Sequence, residues 1–185
     1  MLNNKVLIVY CSRYGTTEEI AMKIASELEE LGSQIDLINL KTIEKKFWPN
    51  INKYRAIIIG TSIKMGKWTK EIKQYIELNL LNLRNYAFPI GIFIISGLAS
   101  DPNKHDELRE KYIEKPLRNY KLTVSLYEIF AGVLDLTDAS KLSWLDKKIV
   151  EAMAKEDQNI KINQKNDFRN WQNISHFVQT YYNLI

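Results

Sequence analysis

Two hydrophobic periods alternate along the chain. Residues 5–10 (KVLIVY) form a short, β-branched, nearly all-apolar run, which predicts a strand covered on both faces. In 17–31 (TEEIAMKIASELEEL), Ile20, Ile24, Leu28 and Leu31 recur at helical spacing. Glu18 and Glu19 occupy the first turn of that helix and Gly32 follows its last, as helix ends prefer. The run 34–40 (QIDLINL) alternates apolar and polar, predicting a strand with one face less completely covered. Further strands are predicted at 54–60 (YRAIIIG), 88–96 (FPIGIFIIS) and 125–133 (SLYEIFAGV). Between them lie a predicted helix at 67–83 and a charged helical stretch at 104–120, weakened by Pro116. Residues 143–155 (SWLDKKIVEAMAK) set Leu145, Ile149 and Met153 on one helical face, and 168–182 reads as a closing helix. The stretch from about 136 to 166 therefore reads as an insertion before that helix, within one domain spanning 1–185.

Strand and helix alternate about four and a half times. That rhythm implies βαβ units, a parallel sheet and a doubly wound α/β fold, with right-handed crossovers limiting the topologies.

Composition narrows the chemistry. The chain has 185 residues, 45% hydrophobic and 26% charged, which is ordinary for a globular protein. A single cysteine, Cys11, excludes an intramolecular disulfide framework, and His105 and His176 add little toward a soft-metal site. Just after a buried strand, Cys11 reads as an inert small residue. The longest uncharged stretch, 85–100, has 16 residues broken by Pro89, Gly91 and Gly97, short of a membrane span. Met1 to Lys5 leads straight into the first strand without a signal-peptide pattern, so a cytoplasmic location is expected. The net charge of +4 hints at anionic partners, but no nucleic-acid motif or dense basic run accompanies it, and nucleic acid is not expected as a partner.

In open α/β sheets, ligands bind beyond the carboxyl ends of the strands. Three loops there can carry chemistry. The first, Cys11-Ser-Arg-Tyr-Gly-Thr-Thr17, runs into a helix, and its hydroxyls and backbone N–H groups suit a phosphate. It lacks a P-loop lysine and the outer glycines of the dinucleotide fingerprint, which sets aside nucleoside triphosphate and NAD. An ordinary capped turn is the alternative, since Ser and Thr favour helix starts. The second loop, Gly60-Thr-Ser-Ile-Lys-Met-Gly-Lys-Trp68, offers small hydroxyls, two glycines and an aromatic, Trp68, for one side of a flat ligand. Burial of Trp68 against the following helix is the other placement open to it. Lys64, Lys67, Lys70 and Lys73 recur every three residues, roughly one face of that helix. The third loop, Ser96-Gly-Leu-Ala-Ser-Asp101, offers backbone groups to a polar ring edge.

The stretch Ser12-Arg-Tyr-Gly-Thr-Thr17 after the first strand resembles the phosphate loop of flavodoxins, which bind FMN, and the order of elements matches too. Within that superfamily the chain is most similar to the menaquinone-dependent protoporphyrinogen IX dehydrogenases. That similarity rests on Ser12-Arg13 with Gly15 and Thr17, on Gly60-x-Ser62-Ile63-Lys64-x-Gly66, and on Ala131-Gly132-x-Leu134 followed by the insertion with Trp144. The chain departs from the pattern at Tyr14 and Met65, and its insertion is poorer in Arg and aromatic residues. The resemblance implies a flavodoxin-like five-stranded parallel sheet of order 2-1-3-4-5 with helices on both faces. It further implies that Ser12, Arg13, Tyr14, Gly15, Thr16 and Thr17 hold the FMN phosphate. Thr61, Ser62, Ile63, Lys64, Met65, Gly66 and Trp68 would border the isoalloxazine, and Ser96, Gly97, Leu98 and Ala99 would close its other edge.

The implied activity is oxidation of a porphyrinogen with electrons passed to a quinone, the cofactor carrying the redox chemistry without a protein acid–base dyad or a metal. Lys64 and Lys67 stand where they could steer substrate propionates. An electron carrier working with redox partner proteins and an FMN-dependent quinone or NAD(P)H reductase are the alternatives. The 143–155 helix, with Trp144, Leu145, Ile149, Lys147 and Lys148, could rest on a membrane surface as a peripheral contact. Packing of that helix on the sheet or on a second subunit of a homo-oligomer is the stronger expectation for it.

Overall fold

The computed structural model describes residues 5–140 and 160–185, with Trp144, Lys148 and Val150 between them. The five expected strands form one parallel sheet: β1 (Lys5–Tyr10), β2 (Gln34–Asn39), β3 (Ala56–Ser62), β4 (Ile90–Ile95) and β5 (Leu126–Phe130). Their order is β2-β1-β3-β4-β5, with every neighbouring pair parallel. Strands β1, β3 and β4 are buried almost throughout, as their unbroken apolar runs require, whereas edge strand β2 is only half-buried.

Alternate residues of the central strands feed two separate cores. On one face Val6, Ile8, Ile58 and Phe93 meet helix α1 (Thr16–Glu30) through Ile20, Ile24 and Leu28. The closing helix α6 (Trp171–Tyr182) covers the same face with Ile174, Phe177 and Tyr181. The Tyr181 hydroxyl, fully buried, shares its proton between the carbonyls of Ile57 at 2.8 Å and Pro89 at 2.9 Å. On the other face Leu7, Val9, Ile57, Ile59, Ile92 and Ile94 meet α2 (Lys70–Leu78), α3 (Leu80–Arg84), α4 (His105–Arg109) and α5 (Lys115–Tyr120).

The structure refines four sequence expectations. The helix expected over 67–83 starts at Lys70 and breaks at Asn79, whose side-chain amide donates to the Tyr75 carbonyl at 2.9 Å and so competes with the helical ladder. The 104–120 stretch is one winding element in which a π turn, Glu110–Glu114, joins α4 to α5 just before Pro116. A π turn absorbs the missing N–H and the ring that a regular helix could not accommodate. The strand expected over 125–133 is two: β5 ends at Phe130, and β6 (Val133–Asp135) leaves the sheet to pair antiparallel with β7 (Lys165–Asp167). The closing helix begins at Trp171 because Asn170 caps it, accepting from the Asn173 N–H at 3.1 Å.

The helix expected at 143–155 lies outside the described residues except for Trp144, Lys148 and Val150, which are helical. Trp144 is exposed, with Lys148 Nζ 5.1 Å from its ring centroid. No helix among the described residues is long and apolar enough to cross a membrane.

Candidate functional site

The carboxyl ends of β1, β3 and β4 deliver the three loops to one edge of the sheet, β1 and β3 being neighbours there. The crossover after β1 runs to β2 on one side and β3 lies on the other, so a crevice opens where the strand order reverses.

The first loop is held by its own short bonds. Cys11 N–H donates to the Gly60 carbonyl at 3.1 Å, tying the loop to the end of β3. Ser12, itself buried, accepts through Oγ from the Gly15 N–H at 3.0 Å. Gly15 takes φ +105°, a backbone state closed to ordinary L side chains, and this turn aims the start of α1 back across the loop. No side chain caps α1. The first helical bond is that of Glu19 N–H to the Gly15 carbonyl at 3.0 Å, and the amides of Thr16, Thr17 and Glu18 precede it at the open end of the helix.

The second loop closes on itself. Lys64 and Lys67 exchange backbone hydrogen bonds of 3.1 Å each, and Met65 and Gly66 both have positive φ, 50° and 74°. This is a type I′ turn, which places Met65 at its tip, 84% exposed. Beneath it Thr61 Oγ1 accepts from the Thr69 N–H at 3.1 Å and lies 2.9 Å from Thr69 Oγ1, a fully buried staple at the mouth of α2. Ile63 N–H donates to Ile95 O at 2.9 Å, keeping the second loop against the third. Lys64 Nζ donates to the Tyr14 hydroxyl at 3.1 Å and so ties the second loop to the first. In the third loop Ser96 is buried and its N–H donates to Phe130 O at 3.0 Å. Leu98 is half-buried, Gly97 exposed and Ala99 buried, and the Ala99 carbonyl lies 2.9 Å from His105 Nε2.

All three loops thus converge, but Trp68 requires a correction. It is buried, donating its indole N–H to the Tyr112 carbonyl at 2.7 Å, with Tyr120 at 6.4 Å between ring centroids. A tryptophan at the mouth of a helix lowers its free energy more by joining the apolar core and satisfying its single donor than by facing water. It supports the loop from behind.

Two buried polar atoms among the described residues lack a hydrogen-bond partner, Arg13 Nη1 and Ser62 Oγ. They belong to the first and second loops. Leaving such groups unpaired is costly, so a ligand with anionic and polar edges would fit there. The uncapped α1, the orphaned Arg13 nitrogen and the orphaned Ser62 hydroxyl together meet the requirements of the phosphate and ring edge of FMN.

Sequence reasoning missed one positioning group. Arg169, after β7, pairs with Asp167 and with Glu19 in the first turn of α1, its side chain only 6% exposed. Its guanidinium lies 4.5 Å from the Trp171 ring centroid. This clamp ties the β6–β7 ribbon to the helix that opens at the phosphate loop. A lone Arg among 26 basic residues carries no pattern that would single it out.

Cys11 points away from reactivity. Its thiol donates to Glu71 Oε2 at 3.3 Å, and burial, reinforced by that carboxylate, pushes its pKa up to about 11. At pH 8 only about one thiol in a thousand would be ionised. The folded protein should therefore leave Ellman's reagent almost unreacted at pH 8 and release one equivalent after denaturation. Rapid labelling of the folded chain would show that Cys11 is accessible. Among the described residues no cluster of His, Cys, Asp and Glu could hold a metal ion.

Comparison with known proteins agrees with this architecture. The chain is 29% identical to the protoporphyrinogen IX dehydrogenase [quinone] of Escherichia coli over 151 residues, covering 82% of this chain and 79% of that protein. It is 26% identical to the NAD(P)H dehydrogenase (quinone) of Methylocella silvestris over 90 residues, 40% of this chain and 45% of the relative. Both relatives are oxidoreductases by name. Rubredoxin oxygen:oxidoreductase from Desulfovibrio gigas superposes with a TM-score of 0.52 at 17% identity over 83% of this chain, a likeness of fold alone. The chain spans about a third of that structure's length, 35%. Residues 7–161 match the flavodoxin domain. With that match covering most of its length, the chain belongs to the flavodoxin-domain family.

Proposed function

We propose that this protein is an FMN-dependent oxidoreductase that oxidises a porphyrinogen and passes the electrons to a quinone. The observation that carries the cofactor is the uncapped start of α1 behind Gly15, with Arg13 Nη1 buried and unpartnered beside it. Ser12, Arg13, Tyr14, Gly15, Thr16 and Thr17 would hold the phosphate. Thr61, Ser62, Ile63, Lys64, Met65 and Gly66 would border the ring system on one side and Ser96, Gly97, Leu98 and Ala99 on the other. Trp68 would act as the buried support of the second loop. When bound, FMN supplies the capacity to take up hydride equivalents and return electrons. The chain's own task is orientation: the type I′ turn and the Thr61–Thr69 staple fix the second loop, and the Lys64–Tyr14 contact holds it against the first. The porphyrinogen and quinone rest on the 29% identity to the Escherichia coli enzyme across most of both chains.

The test is an anaerobic assay of the FMN-loaded protein with protoporphyrinogen IX and a menaquinone analogue, followed by porphyrin fluorescence. Porphyrin formation that needs both FMN and quinone is the expected result. A yellow, FMN-loaded protein without turnover would remove the porphyrinogen and leave the flavin site. Failure to take up FMN would overturn the reading altogether.

A further inference from the structure

A cleft of ≈ 520 Å³ opens alongside the second loop, and Arg13, Lys64, Lys67, Lys70 and Lys73 line it. A second hollow of ≈ 360 Å³ adjoins it, lined by Tyr112, Pro116 and Tyr120. Lys67, Trp68 and Lys73 belong to both, so the two form one groove with Trp68 in its floor. Each hollow has the volume typical of a small-molecule site.

The two halves differ in chemistry. The apolar half is built from rings held in place: Trp68 is fixed by its bond to Tyr112 O, and Tyr120 tilts against it at 35°. The other half is predominantly cationic: five basic residues line it beside the carboxylate of Glu77. Among the described residues the side chains of Lys67, Lys70 and Lys73 make no ion pair, and all three residues are exposed. Of the acids nearby in sequence, Glu71 accepts from Cys11 Sγ, and Glu77, itself in the lining of the cleft, accepts from the Tyr120 hydroxyl at 3.2 Å, so neither pairs with the three lysines. Lys70 and Lys73 repel one another at helical spacing, and Lys67 and Lys70 stand at the start of α2, where the helix dipole disfavours cations. An arrangement unfavourable in the free protein becomes favourable once anionic groups enter it.

We propose that this groove binds the substrate through its carboxylates: an apolar multi-ring ligand seats on Pro116 and Tyr120, over the buried rings of Trp68 and Tyr112, while two acidic side chains meet Lys67, Lys70 and Lys73. The inference rests on the proposed function in taking protoporphyrinogen IX, whose ring system carries two propionates, as the ligand. Arg13 and Lys64 belong both to the groove and to the loops assigned to the cofactor, so a ligand held there lies beside the flavin site.

The probes are mesoporphyrin IX and its neutral bis-amide, titrated by porphyrin fluorescence into FMN-loaded protein at two salt concentrations. In the Lys67→Glu/Lys70→Glu/Lys73→Glu variant the diacid Kd should rise at least ten-fold, with bis-amide and FMN affinities unchanged. KM for protoporphyrinogen IX should rise in parallel while kcat holds, and the triple Lys→Arg variant should retain tight diacid binding. The milder triple Lys→Gln variant should fall between wild type and charge reversal, which keeps the test valid if charge reversal impairs folding. Equal Kd values for diacid and bis-amide in the wild type would overturn the proposal. Turnover with an unchanged KM in the charge-reversed protein would overturn it too, leaving the oxidase reading standing. Diacid binding lost on charge reversal, in a protein without turnover, would uphold the groove and remove the oxidase reading.

Discussion

Gly15→Val should raise the FMN dissociation constant by roughly ten- to a hundred-fold, the equivalent of about 1–3 kcal/mol of backbone strain. The cost arises from the backbone. A Cβ at this position would make only an ordinary contact with Glu19 Oε1 at 3.9 Å, but φ +105° lies outside the range a β-branched residue adopts. In the free variant the loop relaxes, the N–H of residue 15 leaves Ser12 Oγ and the first-turn amides of α1 swing out of line. Binding must then restore the strained geometry, so the strain appears as lost affinity while the fold survives. Titration of apo-protein by quenching of flavin fluorescence measures this, with the apo melting temperature as control. An unchanged Kd would mean that the phosphate does not sit on this loop.

That loop was also the most legible part of the site. Its composition marked a helix start, with Gly15 and the hydroxyls of Thr16 and Thr17 ahead of the acidic first turn, and local backbone chemistry decides such a feature. The strands were legible for a similar reason: β1, β3 and β4 are buried on both faces, so their apolar runs carry no polar interruption to confuse them. Features set by distant partners were not. The orientation of Trp68 depends on a carbonyl 44 residues away, at Tyr112. The end of β5 depends on a partner for β6 that arrives only at Lys165–Asp167, and the Arg169 clamp reaches Glu19 across 150 residues. The lysine row stood between these cases. Its spacing of three predicted one helix face, but α2 begins only at Lys70, so Lys64 and Lys67 lie in the preceding turn, and it is the fold that brings all four to one cleft beside a hollow lined with rings.

Gly60 shows how a motif residue can belong to packing. It opens the stretch Gly60-x-Ser62-Ile63-Lys64-x-Gly66 that resembles a flavin loop, yet it lies opposite Phe93 in the β3–β4 register, on the face covered by α1 and α6. A Cβ built on Gly60 would come within 2.2 Å of Phe93 Cζ. The Phe93 ring cannot retreat, being fully buried with Phe130 at 6.3 Å between centroids. Gly60→Ala should therefore destabilise the protein by roughly 1–3 kcal/mol, lowering Tm by about 3–10 °C. FMN affinity of the folded fraction should hold, because the added methyl points into the core beneath the loops. The decisive measurement is a double-mutant cycle with Phe93→Leu. The smaller side chain should cost stability with glycine at 60 but recover part of the loss with alanine there, a coupling of about 0.5 kcal/mol or more. Additive losses, or a fall in FMN affinity at unchanged Tm, would instead assign Gly60 to the ligand.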